Sequence, residues 1–300
     1  MSFNGTFTNS SSSLECLPTF SSLPWYLIAV VSVISLLGIP SNITVIGKLS
    51  WHLRGSNISQ RLFFILAVSD LLCLLCLPIG LVVLHNGSPQ VYVVCQLLVY
   101  IFFFCISADL NILVLIGLQR YFQIVRPDQW AKLSRNWQRL LLCSVWMLAS
   151  LEALPVVFSL KHNDNKSIPL CCGYRIAAAF EAAYIAFFVF GHLVLLSCYL
   201  LLVRRLNQTK MARKKLPRAT KLFVRIIAVS LAVSFFPLIV RMLYVAALYI
   251  EDSDKLLEVS KKLTVVECFY FFNHCLNPFL YFFASRHEKT DKRRSHVLND

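Results

Sequence analysis

Apolar residues in this chain gather into seven long runs, at 24–47, 62–84, 91–119, 140–160, 176–203, 222–250 and 263–285, separated by polar stretches. A helix that crosses the hydrocarbon of a bilayer needs about 20 mainly apolar residues. Each run supplies that length, and the first holds no charged residue. Strands of a membrane barrel need only about 10 residues and alternate in polarity. Helices also satisfy their own backbone groups in lipid. The pattern therefore predicts an all-α membrane protein, a bundle of seven transmembrane helices.

Composition agrees. The chain has 300 residues, 57% hydrophobic and 15% charged, fewer charges than soluble domains carry. A net charge of +14 raises the question of nucleic acid, and its placement answers it. Of 29 Lys and Arg, 21 lie in 48–61, 120–139, 204–221 and 286–300, and only six in 1–23, 85–90, 161–175 and 251–262. Arg225 and Arg241 lie inside spans. By the positive-inside rule the rich set faces the cytosol. The expected organisation is an extracellular segment 1–23, a bundle 24–285 and a short cytoplasmic tail 286–300 in the plasma membrane. The basic excess is a topology signal with a secondary role toward anionic lipid, and no nucleic-acid partner is expected. The first twenty residues are polar and lack the pattern of a cleavable signal. Asn4, Asn9, Asn86 and Asn165 sit in glycosylation sequons on the outer side. Cys16, Cys95, Cys171 and Cys172 face the oxidising side, where disulfides persist. None has zinc-site spacing with His. After Tyr281 the chain predicts a short amphipathic eighth helix with Phe282 and Phe283 toward lipid.

Polar residues inside spans are costly and face the interior or a cavity. Asp70 lies nine residues beyond Arg61, Asp109 eleven before Arg120, Asn277 nine before Arg286 and Asn42 six before Lys48. At a rise of ~1.5 Å per residue they share a layer roughly 9–16 Å from one membrane face. Asn273 lies one turn from Asn277 on the same helical face. Two carboxylates and three amides in an apolar layer fit a sodium-like monovalent cation, because close carboxylates do not both stay ionised without one. They fit a hydrogen-bonded packing network equally well. Pro237 lies mid-span and predicts a kink, with Phe235 just below it as a packing switch or an ordinary lipid-facing or core aromatic. The outer half of the bundle holds Glu152, Glu181, Arg241, Glu267 and His274. Glu181, His192 and Tyr199 share one face, and Glu267, Phe271, His274 and Pro278 form another stripe. Such a mixed cavity between helices is a candidate ligand pocket. Arg241 suits a ligand carboxylate or, equally, an internal ion pair with Glu181 or Glu267, and Glu181 with Glu267 suits a basic peptide or amine. His192 and His274 read as satisfied core histidines.

These residues carry a resemblance. Asn42 in Gly-Ile-Pro-Ser-Asn, Asp70 in Leu-Ala-Val-Ser-Asp, Arg120-Tyr121, Trp146, Tyr199, Pro237 and Asn277-Pro278-Phe-Leu-Tyr281 place one marker per span in order. The series resembles the rhodopsin-like G-protein-coupled receptors over about 24–290. The run 66–78, Gln119-Arg-Tyr-Phe-Gln-Ile-Val and Trp130 resemble, within that family, chemoattractant and lipid-mediator receptors, leukotriene B4 receptors above all. The resemblance implies a disulfide from Cys95 to Cys171 or Cys172, a heterotrimeric G protein at Arg120, and an extracellular ligand. A leukotriene-like anionic lipid would meet Arg241 with its carboxylate and Phe103, Tyr244 and Tyr270 with its chain. The family pattern is broken at Gln119, where an acid is usual, at Gly191 in place of a proline, at Asp109 in place of serine, and at Ser234-Phe235-Phe236-Pro237. These departures leave open a peptide chemoattractant receptor and a non-signalling scavenger of the same fold. A transporter using the Asp70–Asp109 layer lacks the internal repeat such proteins show. No nucleophile–base pair or metal constellation points to an enzyme.

Overall fold

The structure is a computed structural model that describes residues 25–51, 58–86, 91–132, 134–159, 178–211, 218–250, 258–259, 266 and 270–279. All regular structure among them is helical. In chain order the helices are α1 (Trp25–Ser50), α2 (Ile58–Asn86), α3 (Val91–Val125), α4 (Pro127–Ala131), α5 (Arg135–Ser159), α6 (Ala178–Met211) and α7 (Arg218–Ile250). A last helical segment at 272–279, with Tyr270 just before it, belongs to the seventh expected span. Six expected spans thus coincide with α1, α2, α3, α5, α6 and α7. Five of the described helices (α1, α2, α3, α6 and α7) are long and apolar enough to cross a membrane.

Most helices run past the apolar runs. α3 continues through Arg120 to Val125, and α6 ends at Met211 beyond Arg204 and Arg205. Charged straight-chain residues are good helix formers, so the helix need not stop where the lipid does. The short α4 falls between two spans. Pro127 stands in its first turn, where the missing N–H costs nothing and the ring pre-sets φ.

α1 packs on α2, α2 on α3, α3 on α5, α6 and α7, and α6 on α7. α3 is therefore the hub. Leu62, Leu66, Ile112, Leu113, Ile116, Leu195, Leu202, Ile226 and Ile227 form one apolar core around it, with Tyr199 packed against its side. Large apolar side chains also cover the outside, among them Leu36, Leu151, Phe190 and Leu193. A helix apolar all round suits a bundle in lipid. Glycines set two close approaches. A methyl group on Gly38 would lie 2.6 Å from both Cys275 and Leu74, and one on Gly191 would lie 2.8 Å from Leu110. The lack of a side chain at Gly38 lets α1 meet α2 and the final span, and at Gly191 it lets α6 seat Leu110 of α3. Residues 1–24, 160–177 and everything after 279 lie outside the described residues. So do the expected eighth helix and the tail.

Candidate functional site

Three groups of polar side chains lie along the bundle. The middle one gathers Asn42 from α1, Asp70 from α2, Asp109 from α3, and Asn273, His274 and Asn277 from the final span, all buried. Asn277 Nδ2 donates to Asp70 Oδ2 at 3.1 Å. Asn42 Nδ2 donates to the carbonyls of Gly38 and His274, each at 3.0 Å. Asp70, Asp109, Asn42 and Asn277 of the layer expected from depth are thus brought together around one further residue, with Asn273 buried next to it in the chain. His274 Nδ1 lies 2.8 Å from Asp70 Oδ1 and 2.6 Å from Asp109 Oδ2. The helical period offered the signal for it: residues 270, 274 and 277 share a face at spacings of four and three. Assigning His274 to an outer stripe with Glu267 and Phe271 hid that. On the side of Asp70 toward Phe63 and Ile226, a cavity of about 10 Å³ is lined by Asn42, Asn277 and Pro278, room for roughly one water.

The second group surrounds Arg241 on α7. Its guanidinium lies 3.5 Å from Glu181 Oε1 on α6. It also stands over two aromatic faces, 5.0 Å from the ring centre of Phe103 and 5.4 Å from that of Tyr184. The two rings meet edge to face at 4.9 Å. Tyr184 was not singled out from sequence, although it lies one turn from Glu181 and its ring stacks on Phe188 at 5.8 Å. Tyr270 is buried deeper, against Phe188 and His274. Tyr244 is half-buried on α7, one turn from Arg241. Glu152, expected in the same cavity, accepts from Asn111 Nδ2 at 3.2 Å and, through Ser107, neighbours Tyr184 of the Arg241 group. Glu267 lies outside the described residues, as do the side chains of Cys95 and Asn86 and the whole of Cys171, Cys172, Asn4, Asn9, Asn165 and Tyr281.

The third group lies at the end of the bundle that carries Arg120. Gln119 is buried, and its Nε2 donates to Ser59 Oγ on α2 at 2.7 Å. Arg120 Nη1 donates to Gln123 Oε1 at 3.2 Å, one turn along α3. Tyr121 packs edge to face on Phe122. Halfway up α7, Pro237 is buried but Phe235 is 65% exposed. This corrects the expectation that Phe235 is a packing switch. At ~100° per residue, neighbours on a helix face different ways, and Ser234 faces the interior instead. There His192 joins α6 to α7. Its Nδ1 meets the Phe188 carbonyl at 2.8 Å, and its Nε2 meets Ser234 Oγ at 2.8 Å. A carbonyl can only accept, so Nδ1 carries a proton. Ser234 Oγ also lies 2.6 Å from the Ser230 carbonyl, to which it donates, so its single proton is shared between that carbonyl and the contact with His192.

The sequence pattern of the family described as 7 transmembrane receptor (rhodopsin family) matches residues 41–281. Among curated proteins the chain is 28% identical over 231 residues to the human uracil nucleotide/cysteinyl leukotriene receptor, covering 73% of this chain and 62% of that receptor. It is 28% identical over 291 residues to the C5a anaphylatoxin chemotactic receptor 1 of Oncorhynchus mykiss, 91% of this chain and 81% of the relative. It is also 28% identical over 279 residues to proteinase-activated receptor 3 of Rattus norvegicus, 86% of this chain and 72% of the relative.

Proposed function

The chain belongs to the rhodopsin family of seven-transmembrane receptors, and from that premise we propose that it is a cell-surface receptor for an amphipathic anionic lipid of leukotriene type, signalling through a heterotrimeric G protein. The N-terminus is outside, and the basic end that carries Arg120 meets the G protein. The observation that carries the ligand class is the setting of Arg241. Its guanidinium is the more open member of the pair with Glu181, at 17% against 7% side-chain exposure, and it lies over Phe103 and Tyr184. A cation backed by aromatic faces suits a carboxylate joined to an apolar chain. One relative is named for cysteinyl leukotrienes, which agrees with that chemistry. Phe103, Tyr184 and Tyr244 hold the near part of the chain, with Tyr270 at its floor.

A peptide ligand is the second reading. It is supported by Glu181 and by a relative named for the C5a anaphylatoxin. The deciding experiment is a panel of acidic lipids and basic peptides read by G-protein activation in cells. Acidic lipids are expected to activate, and Arg241→Ala to lose potency while surface expression stays. Activation by a basic peptide alone, lost in Glu181→Gln, would replace the lipid by the peptide. Specific binding with no response from any G-protein class would make the chain a scavenger.

A further inference from the structure

The layer around Asp70 and Asp109 has the charge of a cation site, but its geometry does not fit a metal ion. Atoms that share one metal ion each lie ~2.0–2.6 Å from it, which sets them roughly 3 Å or more apart. His274 Nδ1 is 2.8 Å from Asp70 Oδ1 and 2.6 Å from Asp109 Oδ2. The first is a hydrogen bond to Asp70; the second is an ion-pair contact with Asp109, since the one proton on Nδ1 points at one oxygen. The imidazole nitrogen stands where an ion shared by the two carboxylates would have to stand. Imidazole is also a poor match for sodium, which belongs with oxygen donors.

We propose that His274 is the resident cation of this bundle: its protonated ring joins Asp70 of α2 and Asp109 of α3 to the final span in place of a sodium ion. Among the described residues His274 is the one basic group within ion-pair distance of either carboxylate. The ring is held from several sides. Asn42 ties its backbone carbonyl to α1, Asn277 holds the far oxygen of Asp70, and the rings of Tyr270 and Phe271 flank it at 5.9 and 6.1 Å. Cys275, next along the chain, donates to the Ile34 carbonyl at 3.0 Å and pins the same turn to α1. Buried carboxylates close to one another both stay ionised only with a positive partner. Here the partner is covalently part of the chain and cannot be diluted away.

The test requires neither a ligand nor a G protein, so its failure is separate from failure of the proposed function. Purified full-length receptor in nanodiscs is unfolded by heat in sodium chloride or in N-methylglucamine chloride at equal ionic strength. The wild type is expected to unfold at the same temperature in both. His274→Asn is expected to unfold earlier in N-methylglucamine and to regain stability with sodium, because the bare carboxylates then recruit the ion. Sodium-specific stabilisation of the wild type would overturn the proposal, and so would stabilisation of it by micromolar zinc. Folded His274→Asn that ignores sodium would overturn it too. If His274→Asn yields no folded receptor, the double variant His274→Asn/Asp109→Asn decides. A folded, sodium-indifferent double variant supports the cation role, since removing one carboxylate removes the need for a cation. Failure of the double variant as well would show that the ring acts by packing and overturn the proposal.

Discussion

Gln119 shows how a neutral side chain changes what its neighbour does. Its amide is committed to Ser59 of α2, so α3 is tied to α2 there and Arg120 is left to Gln123 on its own helix. Ser59→Ala leaves a buried amide donor without its partner, a loss of about 1–3 kcal/mol. The expected outcome is a lower unfolding temperature, checked by thermal denaturation of the purified receptor beside Ser144→Ala, an exposed serine bonded only within its own helix, as control. An unchanged midpoint would show that the bond contributes little. The polar layer was legible from residue spacing, since Asp70, Asp109, Asn42 and Asn277 all lie within a few turns of a basic anchor. Partners such as Ser59, Tyr184 and Ser234 were not legible. A serine or tyrosine in an apolar run carries no sign of which helix it faces, because that depends on the rotation of two helices about their own axes. The Cys95 pairing also belongs to this scale. Peptide mapping without reduction is expected to join Cys95 to Cys171 or Cys172, and a free Cys95 thiol in folded receptor would contradict that.

The existence of the helices follows from apolar length, which is why six spans coincide with observed helices, while their ends run past the apolar runs; α4 was not anticipated, since five residues between two spans leave no periodic pattern. Facing is a different matter. Phe235 looked inward by analogy of motif and points outward in fact, because a position relative to Pro237 does not determine which face packs against α6. Glycines on α1 give a test in which position decides the sign. Gly38→Ala puts a methyl group 2.6 Å from Cys275 and Leu74, whereas Gly47→Ala meets nothing within 4 Å. Alanine is the better helix former by roughly 1 kcal/mol, so Gly47→Ala is expected to raise the unfolding temperature or leave it unchanged. Overpacking costs about 1–3 kcal/mol, so Gly38→Ala is expected to lower it by separating α1 from α2 and the final span. Thermal unfolding of the two variants side by side checks this. Equal shifts would show that the approach at Gly38 relaxes without cost.

At the scale of the whole bundle, signalling depends on how the inactive and active arrangements are populated before any ligand binds. Arg120 is the group expected to meet the G protein once α7 moves, and an acid beside it would hold it in the inactive arrangement. Position 119 holds glutamine, whose amide is directed at Ser59, and a neutral hydrogen bond is weaker than a charge-assisted one by roughly a factor of two. The stretch 215–221 supplies no acid to take over. The inactive state is therefore expected to be less favoured than with an acid at 119, and a difference of ~1.4 kcal/mol would shift the two populations about tenfold. Two contacts are expected to oppose that drift. His192 fastens α6 to Ser234 of α7, and the ring of His274 fastens α2 and α3 to the final span. The expected outcome is measurable ligand-free signalling that falls in Gln119→Glu, rises in Ser234→Ala as the α6–α7 fastening is lost, and disappears in Arg120→Ala. The measurement is G-protein activation without ligand in cells matched for surface expression. Gln119→Glu with unchanged basal signalling would remove position 119 from the restraint. A fall rather than a rise in Ser234→Ala would mean that the His192 link belongs to the active arrangement, which would place the inactive-state hold wholly in the layer around His274.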